Sequence, residues 1–558
     1  MTQDAWKNSM RYAWDVSREL AHCFYLRYPN ADNEKELVEL TALEPEMAVH
    51  VPELLTFLVD KNPQASAFQL KYLLHWQPVP PISAVAYLLP DKQNSPLLLQ
   101  YAMRSLASYA PQLVFFYIPQ VVQALRYDVL GYVEQYILNT AKISQHFAHQ
   151  IIWNMNANMY KDENSTEPDA LKPALEAAIG KIVHQLDGEA KAFYEREFTF
   201  FNLVTGISGK LKPYIKKSKP EKKAKIDEEL AKVKVDVGVY LPSNPDGQVV
   251  DIDYTSGRPL QSHAKAPFLA TFKIRREVEQ LEHDPDSKQE MLVKRNKDVW
   301  LSAIFKVGDD CRQDVLALQL IAVFRSIYCN LGLDLWLFPY RVVATAPGCG
   351  VIDVIPRSIS RDMLGREKVN SLFDYFKTKY GGVDTITFQK ARNQFLQSVA
   401  AYSVISYLLQ FKDRHNGNIM VDDQGHVVHI DFGFMLDIAP GGINFESSPF
   451  KLTTEMIEVM GGRVEVQPYM WFCELCVKAF LAARPYMRQI EQVVELMIDS
   501  GLPCFKGETI KRLHARFAPE LGDRAAATFM VDKIRESFEN RRTVWYDAFQ
   551  KATNGIPY

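Results

Sequence analysis

The 558-residue chain has no apolar run long enough to cross a bilayer as a helix. The nearest candidate, "FLQSVAAYSVISYLLQF", carries Gln397, Ser398, Ser403, Ser406 and Gln410 and reads as a buried helix. The opening stretch, "MTQDAWKNSMRYAWDVSREL", lacks a basic start followed by an apolar segment, so it does not read as a signal peptide. With no lipidation motif either, any membrane contact is expected to be peripheral. An excess of one charge is also missing. The 64 Lys and Arg against 67 Asp and Glu leave −3, which gives no global pull toward nucleic acid. Cysteine is sparse, seven in all, which argues for a reducing compartment and against a disulfide framework. Cys473 and Cys476 make the one Cys-x-x-Cys pair. No second pair exists to complete a metal site, so they read as apolar residues of a helix. A G-x-G-x-x-G loop is absent as well, so any grip on phosphate must come from another arrangement.

A chain of this length is expected to hold two or three domains. Residues 1–205 read as short helices in series with prolines at the turns, which suggests stacked antiparallel pairs of a solenoid-like kind. Residues 206–235 are basic, with Lys210, Lys212, Lys216, Lys217, Lys219, Lys222, Lys223 and Lys225. That segment reads as a solvated linker or exposed helix; the alternative is a patch on an anionic leaflet. From 236 the texture changes to short runs rich in β-branched and aromatic residues, interrupted by one apolar helix, "RQDVLALQLIAVFRSIYCNLG". After 357 the chain is again mostly helical. The expected fold class is α+β. A helical domain precedes a bilobal catalytic domain at 236–558, with an N-lobe at 236–352, a hinge at 353–356 and a C-lobe at 357–558.

The densest chemistry lies in "LLQFKDRHNGNIMVDDQGHVVHIDFGFM". Asp413 and Asn418 are five apart, and Asp431, Phe432 and Gly433 follow Asn418 by thirteen and more. Phosphoryl transfer by a kinase needs a group to take or orient the hydroxyl proton, an amide oxygen for one metal and a carboxylate for both metals. Protein kinases use the same Asp-to-Asn spacing followed by Asp-Phe-Gly. One departure is the order Asp413-Arg414-His415, with His after Asp. "GHVVHIDFG" reads as a strand, which should point His429 and Asp431 to the same side. Lys306 ends the strand "VWLSAIFK" and can neutralise ATP phosphate, with Asp314 on the following helix as its partner. Asp309 and Asp310 are expected to cap that helix. For the phosphate loop the candidate is "QSHAKAP", through Ser262, Lys265 and the amides between them.

"IFKVGDDCRQD", "PYRVVATAPGCGVI", "KDRHNGNIM" and "HIDFGF" together resemble the phosphatidylinositol 3-/4-kinase superfamily. "APGCGVI", "PGG", "GLPCF" and the terminal "IPY" resemble its type III alpha 4-kinase branch. The resemblance implies a lipid kinase that uses ATP with Mg²⁺ or Mn²⁺. It implies that Lys306 contacts ATP phosphate and that Asp353, Val354 and Ile355 form the hinge, backbone groups of Asp353 and Ile355 bonding adenine. Tyr340 would line the back of the pocket near Asp314. Asp413 and His415 would act on the inositol hydroxyl, His415 being the expected proton acceptor because its neutral form is available near pH 7. Arg414 would orient the loop, and Asn418 and Asp431 would hold the metal.

In the activation segment 431–453, Lys451 is the only cation, and Asp437 and Glu446 are acidic. Extra phosphates on a lipid ring would need more cations, so the expected substrate is phosphatidylinositol itself. The 4-hydroxyl as acceptor follows from the resemblance alone. Ile443, Phe445 and Phe450 read equally as bilayer contacts or as packing residues, as does the C-terminal amphipathic helix with Phe529, Val531, Ile534, Phe538, Val544, Trp545 and Phe549. The expected setting is cytoplasmic, peripheral at the plasma membrane or another cytosol-facing membrane, held there through adaptor proteins. Members of the branch are longer on the N-terminal side, so the chain is expected to be a fragment or a shortened gene product. The competing readings are a protein kinase of the related large-kinase class and a non-catalytic scaffold.

Overall fold

Proline and small polar residues start the early helices in the way the sequence suggests. Pro45, Pro81, Pro96 and Pro111 each occupy the first position of a helix, where the missing N–H has no partner to lose. Thr2, Ser17, Asn30, Ser66 and Ser95 cap helices by accepting a backbone N–H. The computed structural model describes residues 2–62, 65–92, 95–260, 266–283, 290–366, 371–440 and 448–538. It divides into two units. The first comprises Met1–Ile151, Glu176–Gln185 and Glu495–Met497; the second comprises Ile152–Leu175, Leu186–Val494 and Ile498–Tyr558. In the first, consecutive helices pack on one another and bury Trp14, Leu37, Leu54, Phe57, Leu98 and Leu99. That is a succession of packed helices, as expected of the helical region.

The second unit is built on an antiparallel sheet of five strands: β1 (Gln248–Pro259), β2 (Phe268–His283), β3 (Glu290–Val307), β4 (Val342–Ala346) and β5 (Cys349–Asp353). Their order is β1-β2-β3-β5-β4. Alternate residues Phe268, Ala270, Phe272 and Ile274 of β2 face Ala303 and Phe305 of β3 in one core. Two helices share that core, α1 (Gly188–Leu211), through Phe200, Phe201, Val204 and Ile207, and α2 (Lys219–Leu230), through Ile226 and Leu230. Of the two readings of the lysine-rich segment, linker or exposed helix, the structure shows over Lys219–Leu230 a helix that is mostly exposed and anchored to the sheet by Ile226 and Leu230. About half of the segment's lysines are ion-paired or hydrogen-bonded. Lys225 and Lys232 pair with Glu228 and Glu229, Lys210 with Glu229, and Lys223 with Asp227 and the carbonyls of Thr255 and Gly257.

Helix α3 (Arg312–Asn330) follows β3 and is buried along most of its length. The lower part of the unit is helical around α4 (Ile386–Leu409) and α5 (Gln467–Ala483), with a small antiparallel sheet of β6 (Ser358–Ser360), β7 (Ile419–Asp422) and β8 (Val427–His429). Cys476 on α5 is buried against Ala400 of α4, and every described cysteine is a free thiol, so the Cys-x-x-Cys pair is helix packing. Phe450 is buried, which settles it as a packing residue; Ile443, Phe445 and Glu446 lie outside the described residues. Phe529 packs on Tyr407 and Phe480 and Ile534 is buried, whereas Val544, Trp545 and Phe549 also lie outside the described residues. Among the described residues no helix is long and apolar enough to cross a membrane.

Candidate active site

The catalytic loop is a turn held open by its own polar groups. After α4 ends at Leu409, Gln410 and Asp413 take left-handed backbone conformations, φ 54° and 60°. Asn418 Nδ2 donates to the Asp413 carbonyl at 2.8 Å, closing the loop across five residues. Arg414 is buried and ties two stretches of chain together: Nε donates to Lys412 O at 2.9 Å in its own loop, Nη1 to Ile430 O at 2.6 Å, and Nη2 to Asp431 O. Arg414 thus ties the loop at 412–414 to the backbone at 430–431.

His415 sits 3.9 Å from Asp413 through Nε2 and Oδ2. Its Nδ1 accepts the Gly417 N–H at 3.0 Å, so the neutral ring carries its proton on Nε2. Gly417 is required there, because a Cβ would lie 2.9 Å from the imidazole. Burial lowers the His415 pKa below its ordinary value; Asp413 opposes that shift and Arg414 and Lys451 reinforce it.

Asp431 follows β8 with φ 60°, and Ile430 N donates to Asn418 O at 3.1 Å, which brings the Asp-Phe-Gly turn alongside the catalytic loop. This backbone turn breaks strand alternation. His429 is buried and stacked on Tyr402 at 4.7 Å, with Nδ1 unpaired among the described residues. Phe432 is fully buried between Phe411 at 4.6 Å and the Arg414 guanidinium at 5.4 Å, with Tyr340 stacked at 6.5 Å. Its N–H donates to Asp314 Oδ1 at 2.9 Å.

Asp314 is thus bound to the Asp-Phe-Gly turn and lies in the field of Lys306. Burial pushes the Asp314 carboxyl up while Lys306 opposes that shift. Burial likewise opposes the Lys306 charge, and Asp314 and Asp431 outweigh it, holding the ammonium above its ordinary pKa. Lys306 therefore stays cationic between two acids, ready to face phosphate. Tyr340 is buried beside the same acid. Asp310 caps α3 by accepting the Arg312 N–H at 3.0 Å.

At the hinge, the Asp353 N–H is committed to Arg341 O at 2.9 Å and the Val354 N–H to Ser302 O at 3.0 Å. Among the described residues the Ile355 N–H has no hydrogen-bond acceptor, so it and the Asp353 carbonyl are the groups a base can use. The Asp353 side chain turns away and accepts from Ser243 Oγ; burial raises it to about 6. Ser262 and Lys265 lie outside the described residues.

Two residues escaped the sequence reading. Gln313 Nε2 donates to both Phe432 O and Gly433 O at 2.8 Å, and Arg312 anchors the start of α3. The available signal was a run of three polar residues, Arg312-Gln313-Asp314, at the head of an otherwise apolar helix.

With the site assembled, comparison with known proteins becomes informative. The phosphatidylinositol 3- and 4-kinase family matches residues 300–507, and the accessory (PIK) domain of the phosphoinositide 3-kinase family matches residues 30–191. Phosphatidylinositol 4-kinase alpha 2 of Arabidopsis thaliana is 40% identical over 453 residues, 78% of this chain and 81% of the relative. The chain belongs to the phosphatidylinositol 3- and 4-kinase family. Phosphatidylinositol 4-kinase stt4 of Schizosaccharomyces pombe is 59% identical over 560 residues, 98% of this chain and 30% of the relative. Phosphatidylinositol 4-kinase STT4 of Saccharomyces cerevisiae is 57% identical over 528 residues, 94% of this chain and 27% of the relative. The chain thus spans less than a third of the length of those two yeast kinases.

Family membership implies ATP and a divalent metal. The residues present fit such a metal. The Asn418 amide is oriented by its Nδ2 bond so that the oxygen is the group it can offer, and Asp431 adds a carboxylate. These are hard oxygen donors. Among the described residues no cluster of three or more His, Cys, Asp or Glu exists to cage a cation, so phosphate and water would complete the coordination. On the lipid side, Asp437 is ion-paired with Arg512 at 2.7 Å and bonded to Thr509, which removes it from the substrate surface. Lys451 is a partly buried cation near His415 and His429.

Proposed function

We propose that the chain transfers the γ-phosphoryl group of ATP to the 4-hydroxyl of phosphatidylinositol, with Mg²⁺ as the metal. The observation that carries this reading is the joining of Asp413, His415, Asn418 and Asp431 on one loop and turn, with Lys306 kept cationic in the field of Asp314 and Asp431. The metal supplies charge neutralisation across the β- and γ-phosphates when bound. The inositol hydroxyl oxygen attacks the γ-phosphorus, the bond from that phosphorus to the bridging oxygen breaks, and ADP leaves. The hydroxyl proton passes to the Asp413 carboxylate. His415, protonated on Nε2 by virtue of the Gly417 bond, donates a hydrogen bond to the reacting oxygens. That division differs from a His415 base and rests on which ring nitrogen is already occupied.

Three considerations support phosphatidylinositol as the lipid. The relatives are named phosphatidylinositol 4-kinases, the described activation segment offers Lys451 as its cation, and Asp437 is engaged elsewhere. One lysine suits one diester. A lipid substrate also requires the site to meet a bilayer, and we place the chain peripherally at a cytosol-facing membrane such as the plasma membrane, recruited by adaptor proteins. The test is ATP- and Mg²⁺-dependent phosphorylation of phosphatidylinositol in detergent micelles, with the ring position of the product mapped and Asp431→Ala as control. A 4-phosphate made by the parent and lost in the variant supports the reading. Comparable turnover of a bisphosphorylated lipid would sink the substrate assignment, and transfer to protein alone would favour a protein kinase.

A further inference from the structure

We propose that the loop of residues 158–167, in the part of the chain that precedes the catalytic segment, is a positioning element of the active site. It acts through Arg312 and Gln313 on the Asp-Phe-Gly turn. The kinetic part of this inference rests on the lipid kinase reading above.

The first turn of α3 has two sides. On one, Arg312 reaches back to the loop: Nη2 donates to Lys161 O at 3.0 Å and Nη1 to Asn158 Oδ1 at 3.4 Å. The same guanidinium forks onto Asp310, with contacts of 2.7–3.0 Å, so it is fixed at both ends. On the other side, Gln313 holds the carbonyls of Phe432 and Gly433, and Asp314 holds the Phe432 N–H. Arg312, Gln313 and Asp314 are consecutive and all are buried. A rigid helical turn cannot move one without moving the others.

The loop is built to bear on that turn. Lys161 N donates to Glu167 O at 2.9 Å and Asp169 N to Met159 O at 3.0 Å, which closes its neck. Asp162 accepts the backbone N–H groups of Asn164, Thr166 and Glu167, which stiffens its tip. Asn158 is itself held by Asn154 O at 2.8 Å. Ala157 packs with Cys311 and Ala344 in a small buried cluster. Gly348, in the β4–β5 turn with φ 62°, presses so closely that a Cβ there would lie 2.8 Å from Glu163 O. The loop therefore fixes the head of α3 and the β4–β5 turn together, and α3 fixes Asp431 through its neighbours Phe432 and Gly433. A shift of about 1 Å at a reacting group can cost about 10²-fold in rate.

The experiment compares parent, Asn158→Ala and Arg312→Gln for kcat, the KM of ATP, unfolding midpoint and amide hydrogen exchange across residues 430–436. We expect kcat to fall about 30-fold in Arg312→Gln and about 3-fold in Asn158→Ala, with the KM of ATP changed by less than about 3-fold. We also expect faster exchange at Phe432 and Gly433 in both variants, at an unfolding midpoint close to the parent's. A kcat equal to the parent's, or a kcat loss with exchange at Phe432 unchanged, overturns the proposal. If Arg312→Gln does not fold, Asn158→Ala decides alone, since Lys161 O and Asp310 still satisfy the guanidinium. If the parent itself shows no lipid turnover, the lipid kinase reading fails, and exchange at Phe432 still tests the coupling.

Discussion

The catalytic loop and the hinge handle polar groups in opposite ways. In the loop, side chains hold the backbone: Arg414 grips three carbonyls and Asn418 a fourth, around the Asp413, His415 and Asp431 that we propose act on substrate and metal. At the hinge, where we propose that backbone groups hold the base, the Ile355 N–H has no acceptor among the described residues and the acidic side chain of Asp353 is turned aside onto Ser243. Chemistry that moves a proton and holds a metal needs particular functional groups. Recognition of a flat base needs an N–H and a C=O at fixed spacing, which any non-proline residue can supply. Substitutions should therefore be costly in the loop and nearly silent at the hinge, unless they remove the backbone group.

The largest effect should follow loss of the carboxylate in the Asp-Phe-Gly turn. Asp431→Asn is expected to lower kcat by at least about 10³-fold while ATP binding, read by nucleotide fluorescence, persists through Lys306 and the hinge. Equal losses of turnover and binding would mean that Asp431 organises the whole pocket, and the contrast with the hinge would fade.

Next in size is His415. Gln at this position can place an amide N–H near the site of Nε2, whereas Ala cannot. If His415 is a donor, His415→Gln should keep turnover within about 10-fold of the parent and His415→Ala should lose about 10²-fold or more. Equal, severe losses in both would return the proton-accepting role to the imidazole.

At the hinge, Ile355→Val should leave the KM of ATP within about 2-fold, because the amide is unchanged. Ile355→Pro removes the N–H and should raise that KM by about 10-fold or more at similar kcat. A large effect from the valine variant would show that the side chain, not the backbone, recognises the base.

This contrast also explains what could be read in the sequence. The convergence of the loop was legible because its spacings are carried on side chains: Asp413, Asn418 and the Asp431 turn come together as their separations in sequence suggested. Lys306 and Asp314 were legible from a strand end followed by a helix. Backbone geometry was not. The left-handed conformation of Asp431, which sends His429 into the core beside Tyr402, breaks the alternation that a strand pattern predicts. Arg312 and Gln313 were missed because their partners are carbonyls more than a hundred positions away, and a carbonyl leaves no trace in residue identity. The lysine-rich segment misled for a related reason. Its charge left a linker and an exposed helix undistinguished, and two apolar residues, Ile226 and Leu230, bind it to the sheet as a helix.

The smallest expected effect lies away from the site and extends the comparison to a side chain buried without a charge partner. Glu197 on α1 is fully buried. Its Oε2 accepts the Tyr240 N–H at 2.9 Å, and its Oε1 has no partner among the described residues. Burial raises its pKa to about 8, against an ordinary value of 4.5, and the Tyr240 bond opposes the shift only in part. The folded state therefore keeps a proton that the unfolded chain releases. Below pH 4.5 both states are protonated and Glu197 adds no pH dependence. Between 4.5 and about 8 unfolding releases the proton, so stability falls as pH rises; above about 8 both states are ionised and the slope vanishes. Glu197→Gln cannot ionise and keeps an acceptor for Tyr240. Its unfolding midpoint should drop by several degrees less than the parent's between pH 5.5 and pH 8, with kinase turnover at pH 7 unchanged within about 2-fold. The same slope in both proteins would mean that Glu197 ionises normally and that water reaches Oε1.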